Sequence, residues 1–185
     1  EDVTEPDAWT ETLDHAELNE LEAAIAHAWK KTDDFLEVGK ADFPLPKLGK
    51  RLKDIETELM TGRGFALLRG LPRERWSNDD MCMAYWGIGA HLGRPWAQNA
   101  KGHLLGDVTD QGKLPGDPTA RGNELGQIGL DFHCDGAYLG GRLGRQTGGE
   151  GGLSAVCNSV ALHNDLVRER RDVAAELYKP QPYDM

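Results

Sequence analysis

No stretch of the 185 residues approaches the roughly eighteen consecutive apolar residues of a membrane-spanning helix, which excludes an integral helical membrane protein. Positive charge is also scarce. Lys and Arg number 21 against 31 Asp and Glu, a formal net charge of −10, so the chain lacks the basic surface that binds a phosphate backbone. Nucleic acid is therefore not an expected partner. The densest basic run, Arg168-Glu169-Arg170-Arg171, falls at a predicted helix end, where it complements the helix dipole. Cysteine is sparse too: Cys82, Cys134 and Cys157 are odd in number and far apart. They offer neither a disulfide framework nor the paired thiolates of a zinc site. The acidic opening Glu1-Asp2-Val3-Thr4-Glu5 has no leader pattern, and with the isolated cysteines it makes a reducing, cytoplasmic compartment the expectation.

What is present describes a globular chain. The composition, 39% hydrophobic and 28% charged, is that of a protein with a buried core, and the length suits one domain. The 23 glycines and 9 prolines imply many turns and argue against an all-helical bundle. Residues 1–62 read as a mainly helical N-terminal region. Asp14 with Glu17 forms a capping box ahead of Leu18, Leu21, Ile25 and Ala28, predicting a helix over 15–31. Leu48, Leu52, Ile55 and Leu59 mark a second helix that ends at Gly62. The apolar run 64–70 reads as a buried strand, and Ser77 with Asp80 opens a third helix that stops at Gly93 and Pro95. Further strands are expected at 103–108 and 154–157, a long polar loop over 110–126, a helix capped by Ser159, and a last helix from Asp172 to before Pro180.

The chemistry concentrates near residue 133. Ile128, Leu130, Phe132 and Cys134 alternate with Gly129, Asp131, His133 and Asp135, and this period of two predicts a strand with His133 and Asp135 on one face. An imidazole and a carboxylate so placed, joined by one more His, make the 2-His-1-carboxylate triad of non-haem Fe(II) oxygenases. A His and an Asp sharing a hydrogen bond at a strand end is the plainer reading of the same tripeptide. Cys134 should point to the opposite face as a small packed residue.

Several separate segments together resemble the taurine dioxygenase (TauD/TfdA) family. They are Gly64-Phe65-Ala66-Leu67-Leu68-Arg69-Gly70-Leu71-Pro72, Leu92-Gly93-Arg94-Pro95, Asp131-Phe132-His133-Cys134-Asp135-Gly136 and Gly151-Gly152-Leu153-Ser154, with the run 158–166 after them. The resemblance implies an α+β fold, with a double-stranded β-helix (jelly roll) core and flanking helices. Residues 1–185 would be a single domain forming part of it. It implies Fe(II) held by His133 and Asp135, and 2-oxoglutarate as co-substrate with Ser154 near its far carboxylate; a turn-capping hydroxyl is the other reading of Ser154. It implies a small-molecule substrate oxidised by dioxygen as 2-oxoglutarate is decarboxylated to succinate. Trp96, Gln98 and Asn99 lie where the family often approaches substrate, or form a loop rim.

Two departures from the family pattern stand out. The third ligand and the arginine for the co-substrate have no matching candidate before Met185, where His163 is the single histidine after Asp135. The expectation is thus a C-terminally incomplete jelly roll, either one part of a longer chain or a self-associating one. The stretch 139–146, with Gly140, Gly141, Arg142 and Gly144, replaces an apolar strand and reads as an exposed variant strand or as drift from a working enzyme. A non-catalytic truncated paralogue acting as an interaction module is the alternative function, and a cupin-type site with another metal is a third.

Overall fold

The computed structural model describes residues 5–99, 101–109, 131–145 and 154–180. The N-terminal part is built from β1 (Thr10–Thr12), α1 (His15–Trp29), α2 (Leu48–Thr61), β2 (Leu67–Arg69) and α3 (Asn78–Leu92). Later in the chain come α4 (Ser159–Glu169) and α5 (Arg171–Leu177).

Local chemistry accounts for the helix starts. Asp14 accepts from Glu17 N–H while the Glu17 carboxylate accepts from Asp14 N–H, each at 2.9 Å, so two otherwise orphaned donors are satisfied reciprocally. Ser77 and Asp80 repeat the device at α3. The start of α2 has no cap of its own. The Glu20 carboxylate of α1 supplies it instead, accepting from Lys47 and Leu48 N–H at 2.8 and 2.7 Å. Tertiary contact thus provides what the local sequence omits.

The three helices close on one core, in which Leu21, Phe43, Leu48, Leu52 and Met83 are fully buried. Indole and carboxylate groups at its edge are paired, whereas the buried Thr10 hydroxyl has no partner among the described residues. The Trp86 indole N–H donates to Val38 O at 2.9 Å, and the Trp29 indole N–H to Asp80 at 2.8 Å. The Glu17 side chain, almost wholly buried, pairs with Arg51 at 2.8 Å, and Arg51 also binds Glu11 and the Thr12 carbonyl. This joins β1, α1 and α2 at one guanidinium.

The predicted helices over 15–31 and 48–62 form within a turn or less of their expected ends, as does the third. The strand predicted over 64–70 is confined to Leu67–Arg69, and its partner β1 is parallel, with Thr10 opposite Leu67 and Thr12 opposite Arg69. Residues 103–108 and 154–157 are irregular, which corrects two predicted strands. A strand needs a neighbour for its N–H and C=O groups, and these segments have no ladder partner among the described residues. The described part of the predicted strand ending at Asp135 is likewise irregular. The cap of α4 is Asn158 rather than Ser159, and the last helix begins at Arg171. Residues 110–126, expected as a long loop, lie outside the described residues. Among the described residues the sheet has two parallel strands, and the jelly-roll sheets implied by the resemblance are not among these elements. No helix of the described residues is long and apolar enough to cross a membrane.

Candidate metal centre

His133 and Asp135 come together without a strand to hold them. His133 Nε2 lies 3.8 Å from Asp135 Oδ1, and both side chains are more than half exposed. The other ring nitrogen is committed: His133 Nδ1 is 2.8 Å from the Asp131 carbonyl. A carbonyl oxygen only accepts, so Nδ1 carries a proton, and in the neutral ring Nε2 is the nitrogen that holds the lone pair a metal requires. Two donors on adjacent positions of one metal stand roughly 3 Å apart when each bond is about 2.1 Å. The observed separation therefore closes with a small side-chain rotation. Gly140 leaves room beside the carboxylate, where an added Cβ would stand 3.4 Å from Asp135 Oδ2. Among the described residues, no third His, Cys, Asp or Glu joins the pair. An imidazole and a carboxylate are donor types that fit an Fe(II) site.

The segment carrying the pair leans on α3. The Tyr85 hydroxyl lies against Gly141, where a Cβ would come within 2.7 Å of it. Burial pushes the Tyr85 phenol above its ordinary pKa. Arg145 pairs with Asp107 at 2.6 Å, tying 131–145 to the segment after α3. Beside them, burial raises the Cys82 thiol; Arg145 opposes that rise, and Asp107 and Asp79 add to it. Arg142 is exposed, so the charged residue in this glycine-rich stretch incurs no burial cost; its described residues, 139–145, are irregular and not an exposed strand. Cys134 is exposed, which corrects the expectation that it packs inward.

The remaining predicted residues do not converge on the pair through any described hydrogen bond. Trp96 is exposed. Gln98 and Asn99 commit their side chains to their own turn: Gln98 Nε2 donates to Trp96 O at 2.8 Å, and Asn99 Oδ1 accepts from Lys101 and His103 N–H at 3.0 and 3.3 Å. Ser154 is exposed on the irregular approach to α4. His163 is bound to Tyr178, Nε2 to the hydroxyl at 2.6 Å, and so joins α4 to α5 rather than reaching toward a metal. Two surface cavities lie elsewhere, one of about 260 Å³ between Trp29 and Trp76 and one of about 200 Å³ beside Lys31 and Asp42. Sequence reasoning missed Tyr85, Asp107 and Asn158. Only Asn158 carried a local signal, as a capping residue type directly before a helix.

The family model for taurine catabolism dioxygenases, TauD and TfdA, matches residues 27–185. The chain belongs to this family. Among curated relatives, the FR-33289 synthase of Streptomyces rubellomurinus is 25% identical over 177 residues, covering 95% of this chain and 52% of that protein. The taurine hydroxylase-like protein SAT17 of Stachybotrys chartarum is 27% identical over 183 residues, covering 93% of this chain and 46% of that protein. The chain spans about half the length of these curated relatives.

Proposed function

We propose that this chain is the iron-binding part of an Fe(II)/2-oxoglutarate-dependent dioxygenase that oxidises a small organic molecule. The observation that carries this reading is the His133–Asp135 pair within a TauD/TfdA chain, with Nδ1 held by the Asp131 carbonyl so that Nε2 is free to ligate. His133 and Asp135 would hold the metal from one side, and the Asp131 carbonyl would hold the imidazole turned with Nε2 outward. The iron, when bound, supplies the position at which the keto acid and dioxygen react. The Ser154 hydroxyl donates to the far carboxylate of 2-oxoglutarate. Trp96, held out at the edge of the 98–103 turn, offers an aromatic face to the substrate, with Gln98 and Asn99 shaping the turn beneath it. The complete domain, in this reading, is a jelly roll of which residues 1–185 form one part.

The test is anaerobic loading of the full natural polypeptide with Fe(II), followed by succinate release from 2-oxoglutarate on admission of air. Wild type is expected to release succinate, and His133→Ala to lose iron and at least about a hundredfold in rate, as expected when a metal ligand is removed. A wild-type protein that binds iron through neither residue would leave the interaction-module reading in its place.

A further inference from the structure

The side chain of Asn158 makes four hydrogen bonds that join regions far apart in sequence. Its carbonyl oxygen accepts from Val160 and Ala161 N–H at 2.9 and 3.1 Å, capping α4. Its amide nitrogen donates to the carbonyls of Gly62 and Arg63 at 3.3 and 2.8 Å, at the turn between α2 and β2. Both lone pairs of the oxygen and both N–H groups are therefore used. The receiving turn is shaped for the contact. Gly64 adopts φ +87, a conformation side chains rarely take, and a Cβ there would stand 2.7 Å from the Asn158 amide nitrogen. Only glycine at 64 meets both conditions.

We propose that Asn158 is a positioning residue, latching the Ser154–Cys157 segment and the start of α4 to the α2–β2 turn, and so setting where the Ser154 hydroxyl meets 2-oxoglutarate. The last clause rests on the reading of Ser154 given above; the latch itself does not. Ser154 is on an exposed, irregular segment, and among the described residues this carboxamide, four positions on, ties that segment to the α2–β2 turn. An ordinary helix cap would need only the oxygen. The two donated bonds, to residues over ninety positions away in sequence, give the amide nitrogen a separate task.

The distinction is testable because aspartate caps helices as well as asparagine does but has no N–H to donate. Three readouts on the full polypeptide separate the tasks: amide exchange at Val160 and Ala161 for the cap, the initial rate of tryptic cleavage after Arg63 for the latch, and the anaerobic affinity of the Fe(II)-loaded protein for 2-oxoglutarate. Asn158→Asp is expected to keep amide protection, yet cleave after Arg63 at least about fivefold faster and bind 2-oxoglutarate about tenfold more weakly, the scale of one or two lost hydrogen bonds. Asn158→Ala should fail all three, and Gly64→Ala should match Asn158→Asp on cleavage. Wild-type behaviour of Asn158→Asp in both cleavage and affinity would overturn the proposal and leave a simple cap. If wild type binds no 2-oxoglutarate, the reading of Ser154 falls, and cleavage after Arg63 alone decides whether the latch exists.

Discussion

The most exposed risk at the residue scale is the Glu17–Arg51 pair. The Glu17 side chain is 3% accessible and faces Arg51 Nη1 at 2.8 Å. Removing the cation would strand a buried carboxylate, a change that typically costs about 3–5 kcal/mol. Arg51→Met is accordingly expected to destabilise by about 3 kcal/mol in urea unfolding. Glu11→Gln, which touches a more accessible carboxylate on the same guanidinium, should cost under about 1 kcal/mol. Two other carboxylates contribute to acid sensitivity. The Lys47 ammonium holds Asp14, and the Lys31 ammonium holds Asp42, below the ordinary value of 3.8. A carboxyl depressed in the folded state adds stability above its unfolded pKa and loses it as pH falls through the folded one. These groups should therefore leave the melting temperature unchanged from about pH 7 to 5 and contribute to its fall below about pH 4. Lys31→Met with Lys47→Met should shallow that acid limb in a series of calorimetric scans.

At the scale of elements, α3 carries a contact that propensity alone would misjudge. Gly87 sits mid-helix, where alanine is ordinarily better by about 1 kcal/mol. Here the fully buried ring of Phe43 occupies the space an alanine methyl would need. Gly87→Ala should therefore destabilise by about 1–3 kcal/mol, and pairing it with Phe43→Leu should recover part of the loss. Ser77→Ala, removing the α3 cap, should cost about 1 kcal/mol by the same unfolding measurement. The helices were legible in sequence because their signals are local: Asp14 and Glu17, Ser77 and Asp80, and a terminal Gly62 all lie within a turn of what they control. Strands are decided by partners elsewhere. Nothing in Thr10–Thr12 announces that it pairs with Leu67–Arg69, and nothing in residues 103–108 or 154–157 announces that a partner is lacking among the described residues. The same division holds at the candidate site. The His133–Asp135 spacing could be read from two letters, whereas the Tyr85–Gly141 contact and the Asn158 latch join segments that the sequence keeps far apart.

For the whole molecule, the contrast is between a closed N-terminal core and open apolar surface later in the chain. Phe132, Tyr138, Val160, Leu162 and Leu177 are all more than half exposed. Several large apolar side chains left so exposed favour association or cover by further chain. The 185-residue polypeptide on its own is expected to gain mass with concentration in light scattering, and a strictly monomeric solution at high concentration would contradict this. Glutamate at Val160 and Leu162 together should reduce the association without unfolding α1–α3.

The parallel pairing of β1 with β2 also has a consequence in time. Thr10 meets Leu67 only after α1 and α2 have been made, and chain closure over such a span is entropically costly. During synthesis the first strand must wait, unpaired, while two helices form from local contacts behind it. The first strand would thus be the last piece of this core to lock, although it leaves the ribosome before the helices and the strand it joins.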